Sequence, residues 1–262
     1  MRHDRGRQLT WLTNSLRQVF PELQQVFKAV TGQTVQAVLR SGPAAARIRA
    51  LSCAEFIVQV RQASHGQRLA VCRLRQLHRL AQTSIGLRDG LDSLCFDLQT
   101  SLASLLWLDQ QSDALFARLL QHFRALPEAP YVCSIQSLDE TFALGILAET
   151  GDLTVYHSGK SLIKLAGSQP TPKASGRFQR GKTPFSKRGR ARLRWVLYWA
   201  TLRLLSRNDA MAYHYRRWQT RPCQPLTKME ALGACLNKLL WYVWVTGHHR
   251  MPYDPNLWQT WS

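Results

Sequence analysis

LDSLCFDLQTSLASLLWLDQQSDALFARLLQHFRAL, residues 91–126, decides the fold class. Leu91, Leu94, Leu98, Ser101, Leu105, Leu108, Ser112, Leu115, Leu119, His122 and Leu126 recur in alternating steps of three and four. That spacing keeps one stripe of an α-helix facing the same way, whereas a half-buried strand alternates at every second residue. One long helix is therefore expected. Its stripe admits two readings: core packing within a helical bundle, or a dimerising coiled coil. In the second, Ser101, Ser112 and His122 weaken the seam and set its register. Leu126-Pro-Glu-Ala-Pro130 stops the helix. The expected boundary lies there, with a helical or coiled-coil region over 1–126 and a second domain over 127–262.

Upstream, Leu9, Leu12, Leu16, Val19 and Phe20 have helical spacing, and Pro21 bends or restarts the helix. Gly32 and Gly42-Pro43 read as breaks between short helices. Residues 44–60 and 67–84 read as two more, the second carrying Leu69, Val71, Leu74, Leu77 and Leu80. Downstream, residues 132–152 read as a short helix, a turn, a helix and a stop at Gly151. A final helix is expected from Thr227 to Val245, followed by a Pro- and Trp-rich loop. Period-two alternation is scarce, so the fold class is mainly α.

Between Leu153 and Asn208 there is no Asp or Glu. At the centre of this stretch lies QPTPKASGRFQRGKTPFSKRG, residues 169–189, read as a loop. It carries Lys173, Arg177, Arg180, Lys182, Ser186, Lys187 and Arg188, with Arg190 and Arg192 just beyond. A helical pattern follows at Leu193, Val196, Leu197, Ala200 and Leu204. Ser186 is expected to cap that helix, because a hydroxyl accepts a bond from a first-turn N–H. Lys187, Arg188, Arg190 and Arg192 then have the wrong sign for the helix dipole, each by roughly 0.3–1 kcal/mol. A bound phosphate reverses that sign.

Composition narrows the classes. The chain has 262 residues, is 45% hydrophobic and carries a formal net charge of +19, with a pI near 10.5. It can bury a real core, and its charge points to nucleic acid or an anionic membrane. No apolar run approaches the ~20 residues of a membrane span, and the N-terminus has no apolar signal core. The expected location is the cytoplasm, in association with the nucleoid. The six cysteines are scattered without a Cys-x-x-Cys pair, so neither a disulfide framework nor a zinc site is indicated. They read as reduced, mostly buried thiols. Among the aromatics, Tyr213 to Trp218 read as better base-stacking candidates than Trp195, Tyr198 and Trp199, whose helical spacing suggests core.

Read in order, several segments resemble the insertion-sequence 110 transposases, whose members use a bridging RNA to choose DNA sites. They are Ser134-Ile-Gln-Ser-Leu-Asp-Glu-Thr-Phe-Ala143, Leu147-Ala-Glu-Thr-Gly-Asp152 and Lys160-Ser-Leu-Ile-Lys-Leu-Ala-Gly167. Ser175-Gly176, Phe185-Ser-Lys-Arg-Gly189, Leu193-Arg-Trp-Val-Leu197, Lys238-Leu-Leu and Pro252-Tyr-Asp254 complete the set, and Leu9 to Leu126 resembles the family's helical middle. The resemblance implies an α-helical transposase domain entered through a helix-hairpin-helix-like segment. It implies Ser175 as the nucleophile that attacks the DNA backbone, and DNA and a guide RNA as partners. It also implies Mg2+, held by four acids of an N-terminal ribonuclease-H-like domain.

Two departures qualify that reading. The chain starts downstream of the four-acid domain, and Asp4 and Glu22 are the only acids in residues 1–50. Ser137 and Asp139 stand in the entry hairpin where the family has glycines. A serine hydroxyl needs a base or metal to become a nucleophile, and no metal ligands are read here. The expectation is a truncated or split transposase that cuts only with an acidic-domain protein in trans and forms a homo-oligomer through Leu91–Leu126. The alternative is a non-catalytic nucleic-acid-binding remnant or competitor of a full-length transposase. A ribosome-associated RNA-binding protein fits the charge but not the order of motifs.

Overall fold

The computed structural model describes residues 2–87, 89–171 and 184–255, and the backbone of 174–175 and 178–179. Within them the chain is mainly helical. It divides into two compact units, Met1–Leu115 and Phe116–Ser262. No helix among the described residues is long and apolar enough to cross a membrane.

The first unit contains α1 (Arg2–Val19), α2 (Leu23–Val26), α3 (Gln33–Ser41), α4 (Ala45–Ala50), α5 (Cys53–Ala63), α6 (Val71–Gln82) and the start of α7 (Leu91–Arg124). Each break has a local cause. Pro21 separates α1 from α2, and Gly42 ends α3 at φ 105°, a conformation that favours glycine. Ser52 and Glu55 form a reciprocal capping box at the start of α5. The core is built from Leu12, Leu16, Phe20, Val38, Phe56, Leu74, Leu77, Leu98, Leu102 and Leu105, all buried. The Glu22 carboxylate accepts from the buried Ser84 hydroxyl at 2.6 Å and from Ile85 N–H at 3.3 Å. It straps residues 84–87 to the end of α1, and Leu87 N–H donates to Gln18 O there.

The long helix forms as its spacing predicts, and its stripe divides. Leu98 and Leu105 lie in the first unit's core with Leu102. From Ser112 to Leu119 every side chain is exposed, including Leu115, Phe116 and Leu119. Phe123 then joins the core of the second unit.

That unit contains α8 (Ala129–Cys133), α9 (Glu140–Thr150), a 3-10 turn (Leu153–Val155), α10 (Gly159–Ala166), α11 (Ala191–Arg207), α12 (Asp209–Thr220) and α13 (Lys228–His249). A two-stranded ribbon, β1 (Ala174–Ser175) and β2 (Phe178–Gln179), lies between α10 and α11. α13 is the central element. Its buried residues Cys235, Leu236, Leu239, Leu240, Tyr242 and Val243 meet Val132, Ile146, Leu153, Leu162, Leu197 and Met211 in one core. Two of its glycines admit neighbours: a Cβ on Gly233 would lie 2.6 Å from the Phe185 ring, and one on Gly247 2.2 Å from Leu153.

Some expectations need correction. α13 runs to His249 and not to Val245. His248 and His249 therefore sit in its last turn, His248 Nδ1 lies 3.1 Å from Leu153 O, and its ring packs on Trp244. Of the cysteines only Cys95 and Cys235 are buried, while Cys72 and Cys223 are exposed. Burial pushes the Cys235 thiol up to about 12, which leaves it inert.

Candidate nucleic-acid interface

The basic stretch is a hairpin rather than a loop. Arg190 N–H donates to Leu165 O, Lys187 N–H to Gly167 O, Ser186 N–H to Gln169 O and Thr171 N–H to Pro184 O. Pro170 bridges Phe185 antiparallel, and Ala174 pairs Gln179 as Ser175 pairs Phe178. Among the described residues these pairings are all antiparallel, and the Ser175–Phe178 pair is the last of them. A sequence signal for this existed: two residues, Gly176-Arg177, separate Ser175 from Phe178, with glycine first. Lys173, Arg177, Arg180 and Lys182 lie outside the described residues.

Glycines let the base of the hairpin close. Gly167 ends α10 at φ 65°. A Cβ on Gly189 would stand 2.4 Å from Leu165 O and 2.5 Å from Gly167 N, so two backbone runs cross there in direct contact. The base is also tied to α13: Ser168 Oγ donates to Asn237 Oδ1 at 2.5 Å, and Asn237 Nδ2 donates to Ser168 O at 3.1 Å.

Ser186 is not a helix cap. Its hydroxyl donates to Gly167 O at 3.2 Å, inside the hairpin base. α11 starts at Ala191, with Arg190 as N-cap and no side chain closing the first turn. Lys187 and Arg188 therefore precede the helix, and of the four cations expected in its first two turns only Arg192 lies in it. The charges also divide by role. Arg190 donates to Glu149 O, and Arg194 donates to Ala166 O at 2.7 Å and Gly189 O at 3.2 Å. These two clamp the crossing. Lys187, Arg188 and Arg192 are exposed and make no ion pair or hydrogen bond through their side chains among the described residues.

The entry segment is α8, a turn and α9. Ser137 has φ 70°, in the left-handed region that suits the glycine expected there, and its hydroxyl donates to Arg207 O at 3.2 Å. Asp139 caps α9 by accepting from Thr141 N–H at 2.7 Å and pairs with Arg203 at 2.8 Å. Burial opposes its charge, but the Thr141 bonds and the Arg203 guanidinium outweigh that and hold its carboxyl below the usual range. Its negative charge is thus neutralised within the fold.

The aromatics follow their expected order only in part: Tyr213 is exposed and Tyr198 half-buried, as expected, but Trp195 and Trp199 do not lie in the core. Trp195 and Trp199 on α11 are 53% and 47% exposed. Tyr215 and Trp218 pack partly against the core, while Tyr213 is exposed. His214 stacks on Trp218. Burial, with Lys238 and Arg217 nearby, lowers the pKa of His214.

The second unit thus combines a clamped hairpin with exposed cations at the entry to α11. Residues 129–216, from α8 into α12, match the Transposase IS116/IS110/IS902 family. The match includes the hairpin and all of α11 and supports an insertion-sequence transposase function. No curated protein matches the chain.

Proposed function

We propose that this chain acts in DNA transposition as an insertion-sequence transposase, with its second unit contacting the DNA backbone. The observation that carries this reading is the hairpin within the matched stretch. It pairs Ser175 at its far end and delivers Lys187, Arg188 and Arg192 to the uncapped start of α11. Backbone N–H groups and cations together favour a phosphate at that point. Ser175 is the family-implied nucleophile, and Lys173, Arg177, Arg180 and Lys182 are its neighbours in sequence. DNA is the principal partner, with a guide RNA as the second.

The magnesium implied by the family resemblance does not fit the residues present. No group of three or more His, Cys, Asp or Glu side chains converges among the described residues, and Glu22, Asp139 and Glu140 are engaged in hydrogen bonds and ion pairs. In this proposal the metal-holding carboxylates come from outside the described residues. Self-association uses the exposed stretch of α7 at Leu115, Phe116 and Leu119.

The test is salt dependence. Each phosphate neutralised contributes roughly 0.9 to the slope of log affinity against log salt. Replacing Lys187, Arg188 and Arg192 by Ala is expected to flatten that slope for duplex DNA by up to about three such contributions. Salt-independent binding, or an unchanged slope in the triple variant, refutes the assignment.

A further inference from the structure

We infer that Trp195 and Trp199 form a stacking platform for the unpaired bases of a single-stranded nucleic acid segment. The inference rests on the reading of the second unit as DNA-contacting and specifies what form of nucleic acid it takes. α11 buries Leu193, Leu197, Ala200, Thr201 and Leu204. Its opposite side presents Arg192, Trp195, Trp199 and Arg203, at steps of three, four and four, all exposed. Burying a tryptophan removes 150–250 Å² of surface from water, yet about half of each of these two rings remains outside.

The pair is ordered for contact. The Trp195 and Trp199 rings meet edge to face with centroids 6.5 Å apart, and Tyr198 braces Trp199 edge-on at 5.4 Å. Four residues along a helix rise about 6 Å, so the two rings stand at successive levels of the helix. Arg192 precedes the pair by one turn, and Lys187 and Arg188 lie before it. Arg203, at the other end, is held by Asp139, so the cation of this row that stands without an ion pair among the described residues is Arg192.

This alternation selects the occupant. An apolar protein surface would desolvate Arg192 without returning a counter-charge. A continuous duplex offers phosphates but keeps its base faces stacked inside. An unpaired strand offers both, phosphates to Arg192 and base faces to the rings, and such stacking is tolerant of sequence. Because the rings meet base faces and not the 2′-hydroxyl, DNA and RNA strands are expected to bind alike.

The experiment compares the full chain with W195A/W199A and W195F/W199F. The probes are a single-stranded DNA oligonucleotide, the RNA strand of the same sequence and the blunt DNA duplex. The Ala variant is expected to lose on the order of ten- to a hundredfold affinity for both single strands, with salt slope and duplex affinity unchanged. Quenching of tryptophan fluorescence by the strands is expected to fall with it, and the Phe variant to retain most of the affinity. Unchanged single-strand binding in the Ala variant, or equal losses on strand and duplex, overturns the inference. So does an Ala variant whose own sedimentation changes, since the patch then joins two copies of the chain. Wild-type protein that binds duplex but not single strands overturns this inference alone. Protein that binds neither overturns the functional reading as well.

Discussion

Gly189→Ala is expected to destabilise the second unit although it adds one methyl group. The new Cβ would lie 2.4 Å from Leu165 O, 2.5 Å from Gly167 N and 2.8 Å from Ala166 C. All three are backbone atoms, so no rotamer change relieves the overlap. Ordinary contact requires the two runs to part by close to 1 Å, a shift comparable to those that cost typically 1–3 kcal/mol in packed interiors. The same parting stretches the Lys187 N–H bond to Gly167 O and the Arg190 N–H bond to Leu165 O, both 2.9 Å. Each contributes about 0.5–1.5 kcal/mol net. The expected loss is roughly 2–4 kcal/mol, or about 2–4 °C in Tm per kcal/mol for a unit of this size. Gly6→Ala is the control: Gly6 lies in α1 with nothing within 4 Å of its would-be Cβ. There the same substitution is expected to stabilise by about 0.5–1 kcal/mol. Denaturant titrations followed by tryptophan fluorescence measure both. A Gly189→Ala protein within about 0.5 kcal/mol of wild type, the range of an ordinary surface substitution, refutes the crossing argument.

Two further outcomes test other parts of the structure. Leu115→Asp with Leu119→Asp is expected to abolish self-association in sedimentation velocity without lowering the melting temperature, because both side chains are about half exposed. A wild-type chain that sediments as a monomer at high concentration removes that proposal. Leu105, buried in the first unit's core, is the wrong place for such a probe, since Asp there unfolds the unit. Asp139→Asn keeps the acceptor that caps α9 but removes the charge facing Arg203. Because the Thr141 bonds and the Arg203 guanidinium hold the folded carboxyl below its ordinary value, its stabilisation is present above the unfolded pKa and is lost as pH falls through the folded one. The variant is therefore expected to be less stable near neutrality and to converge with wild type in strong acid. An identical acid limb contradicts the pairing.

The helices were legible because their causes are local. Pro21 and Gly42 punctuate the first unit as residue type alone suggests, whereas the Ser52–Glu55 capping box divides residues 44–60, expected as one helix, into α4 and α5. The stripe of α7 was legible as a helix, but not in how it divides, because periodicity does not distinguish a residue facing its own core from one facing water. The hairpin was missed for a different reason. The Gly176-Arg177 signal bears only on the Ser175–Phe178 end, and Gly167 and Gly189 reveal their purpose only where the two runs meet. The cap at Ser186 failed because its hydroxyl turns back to Gly167 O, a competing acceptor that sequence spacing does not show. Trp195 and Trp199 were misjudged because α11 is broad enough to bury one side while two aromatic residues occupy the other. At the candidate site, the cationic residues were visible as a group. Their division into clamps, Arg190 and Arg194, and exposed cations, Lys187, Arg188 and Arg192, was not.

The glycines of α13 bear on the order in which the protein is made. Gly233 and Gly247 each weaken the helix on its own by about 1 kcal/mol, and they accept Phe185 and Leu153 in return. α13 thus holds its shape because earlier segments press into it, and those segments lack a core until it arrives. Every residue of the first unit's core precedes residue 106, so that unit can close while the ribosome is still translating the second. The second has no such head start. Its hairpin base and α10 complete their packing only with residues 228–249, so part of the hydrophobic surface of the basic unit stays open to chaperones, or to a nucleic acid strand, until late in synthesis.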